Sequence, residues 1–363
     1  MRKFIPADVI DTLIDGDTLA GLALEEDIRS RFITNNDAGN DWSCEHGPLD
    51  EDHFADVGTK NWSLLVQNVE QYHIDTAKLL PYFQFSPRWL LDDIMVSYSA
   101  SGGSVGPHTD SYHTFLVQGI GKREWKISAD KIEDGAYVPN AEMKVLQNGF
   151  EGEVFEVSAG DIIYMPPFFG HEGKTIETAM TFSVGFLGPQ LSEILGEYAQ
   201  YLEANEDLNK RYLGNALDEQ SAGFTIGKQT QKLMRDDAIA SLQSNDFSRW
   251  LAVYFSTPRH EDLECLDEDE TCLNDDELLS ELKKGKNLYR AEQVKFSIVQ
   301  IDDNQIMLAV AGEQISVSAE QSAFINALNQ QSKIMFSDIE GCGNKAEAIR
   351  LIAFLYRNKA LML

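Results

Sequence analysis

SGGSVGPHTDSYHTFLVQGIGKREW, residues 101–125, sets a polar triplet between a Gly-rich entry and a run of apolar residues. The triplet is His108, Thr109 and Asp110. In an extended strand alternate side chains share a face, so His108, Asp110 and Tyr112 project together while Thr109 and Ser111 point away. An imidazole and a carboxylate then converge on one spot, and the pair needs a third ligand before it can hold a metal ion.

That ligand is expected downstream, in GDIIYMPPFFGHEG at residues 160–173. An apolar strand stops at Pro166 and Pro167, which cannot extend a sheet ladder, and a short Gly-containing turn presents His171 at its end. Two histidines and one carboxylate form the facial set that holds Fe(II) and leaves positions open for a co-substrate and O2. Each histidine alone reads as a hydrogen-bonded structural residue; the three together, at this spacing and in this strand context, read as a metal centre.

Outward from the triplet, residues 89–186 consist of short strands separated by Gly and Pro. The strand 91–99, LDDIMVSYS, puts Ile94, Val96 and Tyr98 on one face and Asp93, Met95, Ser97 and Ser99 on the other. Period alone does not decide whether that polar face is solvated or lines a cavity. In the strand 121–127, GKREWKI, Arg123 shares its face with Trp125 and Ile127. A guanidinium on an apolar face requires an anionic partner, either an internal carboxylate or that of a bound small acid.

Elsewhere the spacing predicts a helix over Thr18 to Arg29 capped by Asp17, a loop over Asn35 to Thr59, and a helix over Asn61 to Phe83 with Trp62, Leu65, Val69 and Tyr72 on one face. After Pro189 the periodicity is helical: Leu191 to Glu206, Gln229 to Leu242 and Asp246 to Phe255. The apolar faces of these helices fit either a homodimer through 190–257 or packing onto the chain's own sheet. Glu261 to Glu277 holds ten acidic residues and no Lys or Arg, the pattern of a solvated linker. Beyond it, a helix at Asp276 to Lys284, strands at Val294 to Ile301 and Gln305 to Val310, and helices at Ala319 to Asn329 and Lys345 to Asn358 suggest a small mixed domain like a winged helix.

A chain of 363 residues with a formal charge of −29, from 30 basic and 59 acidic residues, lacks the basic surface of a phosphate-tracking protein, so direct nucleic-acid binding is not expected. The acidic surplus suits a cationic protein partner and equally suits solubility. Four scattered cysteines without a CxxC pair suit a reducing compartment. No stretch approaches the roughly 18 apolar residues of a membrane span, and the start MRKFIPAD carries no apolar signal core, so a cytoplasmic location is expected.

Asn61 to Gln67 (NWSLLVQ), Gly106 to Asp110 (GPHTD), Gly121 to Trp125 (GKREW), Gly170 to Gly173 (GHEG) and Phe182 to Phe186 (FSVGF) together resemble the bacterial ribosomal oxygenases of the JmjC, cupin-like type. The resemblance implies an α+β chain with three parts: a JmjC-type double-stranded beta-helix, a cupin-like jelly roll, over 1–189; a helical dimerisation region over 190–260; and a winged-helix-like domain over 261–363. It implies an Fe(II)- and 2-oxoglutarate-dependent dioxygenase that uses O2 to hydroxylate the beta carbon of an arginine in a basic ribosomal protein, the sixteenth of the large subunit. His108, Asp110 and His171 become the iron ligands. Arg123 and Ser97 become the partners of the far carboxylate of 2-oxoglutarate, because the position ten past His171, where many such enzymes place that arginine, is Thr181. Asp93 and Tyr112 would take the substrate guanidinium, with Met95 along its stem. Family members usually carry a further N-terminal segment with a strand before the equivalent of Phe4, so the sheet edge is expected to differ here. On the residues alone two other readings stay open: an oxygenase for a histidine or lysine side chain, and a non-catalytic metal-holding cupin that recruits a protein.

Overall fold

The computed structural model describes all residues except 134, 140–142, 215–222 and 259–272, and the backbone alone at 55 and 56. The described residues form two compact units, one over Met1–Gly188 and one from Pro189 to the C-terminus.

The first unit contains the short helices α1 (Ala7–Ile10), α2 (Gly16–Leu22), α3 (Glu51–Asp56) and α4 (Val69–Tyr72) and ten strands. These are β1 (Ser30–Asn35), β2 (Trp42–His46), β3 (Trp62–Val66), β4 (Leu91–Ser99), β5 (His113–Gln118), β6 (Lys122–Lys131), β7 (Gly152–Ser158), β8 (Ile162–Met165), β9 (Phe169–Glu177) and β10 (Ala179–Phe186). They build a seven-stranded sheet in the order β2-β1-β3-β4-β10-β5-β8 and a three-stranded sheet in the order β7-β6-β9, all pairs antiparallel. The two face each other: Leu116 and Ile163 of the large sheet pack with Trp125 and Val157 of the small one. This is the double-stranded beta-helix.

Parity in β4 is as expected and its ambiguity is resolved. Ile94 and Val96 are fully buried in the main core behind the sheet, while Asp93, Met95 and Ser97 line a cavity between the sheets. That core centres on Phe182, Leu64, Phe83, Leu79 and Leu80. Phe182→Ala removes a side chain only 1% exposed, so unfolding stability is expected to fall by about 3–5 kcal/mol. Urea denaturation checks this, and an unchanged midpoint would contradict the packing.

Several expectations for this unit are corrected. The helix read over Thr18 to Arg29 is Gly16–Leu22, because the Asp15 carboxylate, not Asp17, accepts from the Thr18 N–H at 2.8 Å and sets the start two residues earlier. The loop read over Asn35 to Thr59 contains β2 and α3, the latter capped by Asp50 accepting from His53 N–H. The helix read over Asn61 to Phe83 does not form as one element: its first part is strand and only its second part is helical, in two short pieces. Trp62–Val66 is a central strand, with Leu64, Leu65 and Val66 buried, and Asn68 at φ 55° turns the chain before α4 and a 3₁₀ segment over Thr76–Phe83. Its i, i+3 spacing is coincidental: Trp62 stacks on Phe32 at the edge of the main core, whereas Leu65 faces the cavity.

The second unit starts with three helices near their expected places, α5 (Leu191–Ala204), α6 (Lys228–Leu242) and α7 (Asn245–Ser256), joined around Tyr198, which packs on Phe247 and Trp250. Then follow α8 (Asp275–Lys283), β11 (Leu288–Arg290), β12 (Phe296–Gln300), β13 (Gln305–Val310), β14 (Glu313–Ser318), α9 (Ser322–Gln330), β15 (Lys333–Ile334), α10 (Phe336–Glu340), α11 (Lys345–Arg357) and β16 (Leu361–Met362). The two strands read over Val294 to Ile301 and Gln305 to Val310 are joined by a third: β14 pairs with β13 along its length. Most of the acidic stretch read as a linker lies outside the described residues, and its last residues, Asp275 to Glu277, are the first turn of α8 under an Asn274 cap. Among the described residues, no helix is long and apolar enough to cross a membrane.

Candidate metal and co-substrate site

Between the two sheets lies a cavity of about 500 Å³. All eight side chains singled out from the sequence line it: Asp93, Met95, Ser97, His108, Asp110, Tyr112, Arg123 and His171.

His108 and His171 are brought together by backbone. Each donates its N–H to the other's carbonyl, at 3.0 and 2.9 Å, an isolated antiparallel bridge that sets the rings 4.1 Å apart. His108 and Asp110 therefore sit in an extended segment before β5 rather than within a strand. His171 lies inside β9, two residues past its start, rather than at the end of a turn. The proline pair does end β8, and the chain re-enters the small sheet at once, with Phe168 at φ 69° and its N–H donating to Asp110 C=O. Gly106, at φ 80°, gives the entry to His108: a Cβ there would press on the Trp42 ring at about 3.0 Å.

The ligand atoms of His108, Asp110 and His171 all lie within 4.8 Å of one another, and His171 Nε2 is 3.4 Å from an Asp110 oxygen. His108 Nδ1 faces Gly106 C=O at 2.9 Å and His171 Nδ1 faces Phe169 C=O at 3.1 Å. A carbonyl only accepts, so each Nδ1 carries the proton and each Nε2 keeps its lone pair for a metal. Burial, then the neighbouring His171, pushes His108 down to about 4, so it is neutral at physiological pH. For Asp110, burial works upward, but proximity to the His171, His108 and Arg31 side chains outweighs it and holds the carboxyl below its usual value. Two imidazoles and one carboxylate fit a ferrous ion.

Arg123 answers the second question the sequence raised. It is 4% exposed, and among the described residues no carboxylate pairs with it. Instead three hydroxyls hold it in place: Nη1 donates to Thr181 Oγ1 at 3.1 Å and Ser97 Oγ at 3.3 Å, and Nη2 to Ser99 Oγ at 3.1 Å. Thr181 in turn donates to Gln118 Oε1. Burial alone pushes Arg123 down to about 10, so it stays charged at neutral pH. A buried cation positioned by neutral hydroxyls, and lacking a counter-ion, fits the carboxylate of a small acid.

At another part of the cavity, Asp93 and Tyr112 flank Gly185, whose missing side chain leaves both within about 3.6 Å of where a Cβ would stand. Tyr112 is pushed up by burial and then by Asp110, Asp93 and Asp92, and so keeps its proton as a donor. Arg31 of β1, unremarked in the sequence, enters the same cavity with Nη2 3.8 Å from the Met95 sulfur. Thr181 and Ser99 were likewise missed as partners of Arg123, and Gln118 as the acceptor behind Thr181. Ser99 shares the face of Ser97, a signal that was available; the other two become neighbours only through the pairing of β10 with β4 and β5.

Residues 78–194 match the JmjC domain family and residues 232–362 the ROXA-like winged helix. The chain is 35% identical, over 281 residues, to the ribosomal protein uL16 3-hydroxylase of Escherichia coli, covering 76% of this chain and 73% of that protein. It is 30% identical to a probable ribosomal oxygenase of Haemophilus influenzae, covering 95% and 84%. Among solved structures, it superposes on the E. coli ribosomal oxygenase YcfD in complex with cobalt and 2-oxoglutarate with a TM-score of 0.80 at 29% identity, covering 100% of this chain and 93% of that one.

Proposed function

This chain belongs to the ribosomal oxygenases of the JmjC type, and on that footing we propose that it hydroxylates the beta carbon of an arginine in the large-subunit ribosomal protein uL16. It is a 2-oxoglutarate-dependent oxygenase with Fe(II) as its metal. The observation that carries the reading is the pairing of two features in one cavity: a His-Asp-His cluster within 4.8 Å and a buried arginine without a carboxylate partner among the described residues.

His108, Asp110 and His171 would hold the iron, and Arg123 with Ser97 would take the far carboxylate of 2-oxoglutarate. When bound, iron and 2-oxoglutarate supply the O2-dependent oxidation that replaces one C–H by C–OH and releases succinate and CO2. The chain's own part is positioning. Asp93 accepts from the substrate guanidinium, and protonated Tyr112 orients the same end. Met95 packs along the aliphatic stem, which presents an inner methylene rather than the terminal nitrogens to the metal.

The acidic surplus suits a basic ribosomal protein as substrate and no direct nucleic-acid contact, and such a substrate suits a cytoplasmic location. A homodimer through the helices of 190–260, between a catalytic part over 1–189 and the winged-helix part over 261–363, is supported by apolar side chains left exposed on α5 (Leu191, Leu195) and α6 (Leu233, Met234, Ile239).

The test is to incubate the chain with Fe(II), 2-oxoglutarate and uL16 and to map the products by mass spectrometry. Gain of one oxygen on an arginine is expected, with succinate formed in step. Oxygen on a histidine or lysine would replace the substrate assignment, and no gain on any residue would defeat it.

A further inference from the structure

Trp125 is 4% exposed and lines the cavity, yet its indole N–H is buried with no acceptor among the described residues. An unpaired buried donor is unfavourable, so its presence in a cavity that binds a ligand calls for an acceptor that arrives with the ligand. Its placement narrows what that acceptor is. The Arg123 guanidinium carbon stands 5.5 Å from the ring centroid and the His171 ring 6.1 Å from it, and in the register of β6 with β9 the indole falls between their levels. The indole thus occupies the stretch of wall between the buried cation and the metal-ligand cluster.

That position is built rather than incidental. In the pairing of β6 with β9, Trp125 stands opposite Gly173, with Arg123 opposite Thr175 and Ile127 opposite His171. A Cβ on Gly173 would meet the indole at 2.8 Å, so only glycine lets the ring lie flat against β9. The neighbouring Arg123 Nε is also buried and unpaired.

We propose that the Trp125 indole N–H is a third anchor for the dicarboxylate co-substrate, donating a hydrogen bond to the acid along the wall between Arg123 and His171. The proposal rests on the 2-oxoglutarate reading above. It adds a donor that neither the strand pattern nor the ligand cluster assigns, and it makes Gly173 the residue that holds this donor in place.

The test uses the full chain loaded with zinc(II), so that binding is read without turnover. Calorimetric titration of 2-oxoglutarate into the parent and into Trp125→Phe, which keeps an aromatic ring and removes the N–H, is expected to show affinity weaker by about 10- to 100-fold in the variant. Zinc affinity measured without the acid should be unchanged. Equal affinity for the acid in both proteins would overturn the proposal and leave the co-substrate reading standing, whereas a parent that does not bind the acid would overturn that reading and the proposal with it. A second measurement needs no variant: with indole nitrogens labelled in the parent, one of the five tryptophan N–H signals should move on saturation with 2-oxoglutarate. A spectrum in which none moves also overturns the proposal.

Discussion

His171→Ala is expected to leave a folded chain that no longer holds iron. With His171 gone, His108 and Asp110 remain, and two ligands hold Fe(II) poorly. The drop should exceed the roughly 10- to 100-fold that follows loss of a hydrogen-bond partner behind a metal ligand, because here the ligand itself is removed. His171 is 2% exposed and bridges His108 only through backbone, which alanine preserves, so the segment carrying His108 stays paired to β9. Metal content after equilibration with Co(II), read beside circular dichroism, checks this. A variant that retains one equivalent of metal and turns over normally would show that the cluster is not the metal centre.

Arg123→Met should separate the two halves of the site. It removes the cavity's buried guanidinium and keeps an unbranched side chain, so metal binding survives while the requirement for 2-oxoglutarate rises. Truncating one partner of a buried, hydrogen-bonded ion pair costs about 2–5 kcal/mol, which corresponds to an increase of at least about 30-fold in the KM for 2-oxoglutarate. Ser97, Ser99 and Thr181 lose a shared donor but remain able to bond to water or to each other. The measurement is succinate release against 2-oxoglutarate concentration, with Co(II) content determined in parallel. An unchanged KM would place the acid elsewhere in the cavity.

Much of the chemistry could be read from local pattern because it rests on period-two alternation. His108 and Asp110, two apart, face one cavity, and Asp93, Met95 and Ser97 face it from one strand. Arg123 stood out because a guanidinium on an apolar face is costly unless something answers it. The misread parts depend on distant pairing. Trp62, Leu65, Val69 and Tyr72 have helical spacing, but Trp62 and Leu65 lie in β3 between β1 and β4, where a strand completes the hydrogen-bond ladder, and only Val69 and Tyr72 are helical, in α4. His171 stands beside His108 and Asp110 but in a different setting from the one expected, since pairing of β9 with β6 reclaims the residues after Pro167 as strand. Gln118 and Thr181 gain meaning only when β5 and β10 are neighbours, and no stretch of sequence around either residue announces that. The three-stranded β12–β14 sheet was underread because Glu313–Ser318 alternates weakly and follows a tight turn at Ala311 and Gly312, both with positive φ.

The most direct measurement is a crystal structure of this chain grown with cobalt(II) and 2-oxoglutarate. One metal ion should be bonded to His108, Asp110 and His171 together, with the far carboxylate of the acid on Arg123 and Ser97. Cobalt bound away from that triad, or an acid whose far carboxylate lies off Arg123, would contradict the assignment of the cavity as the oxygenase centre.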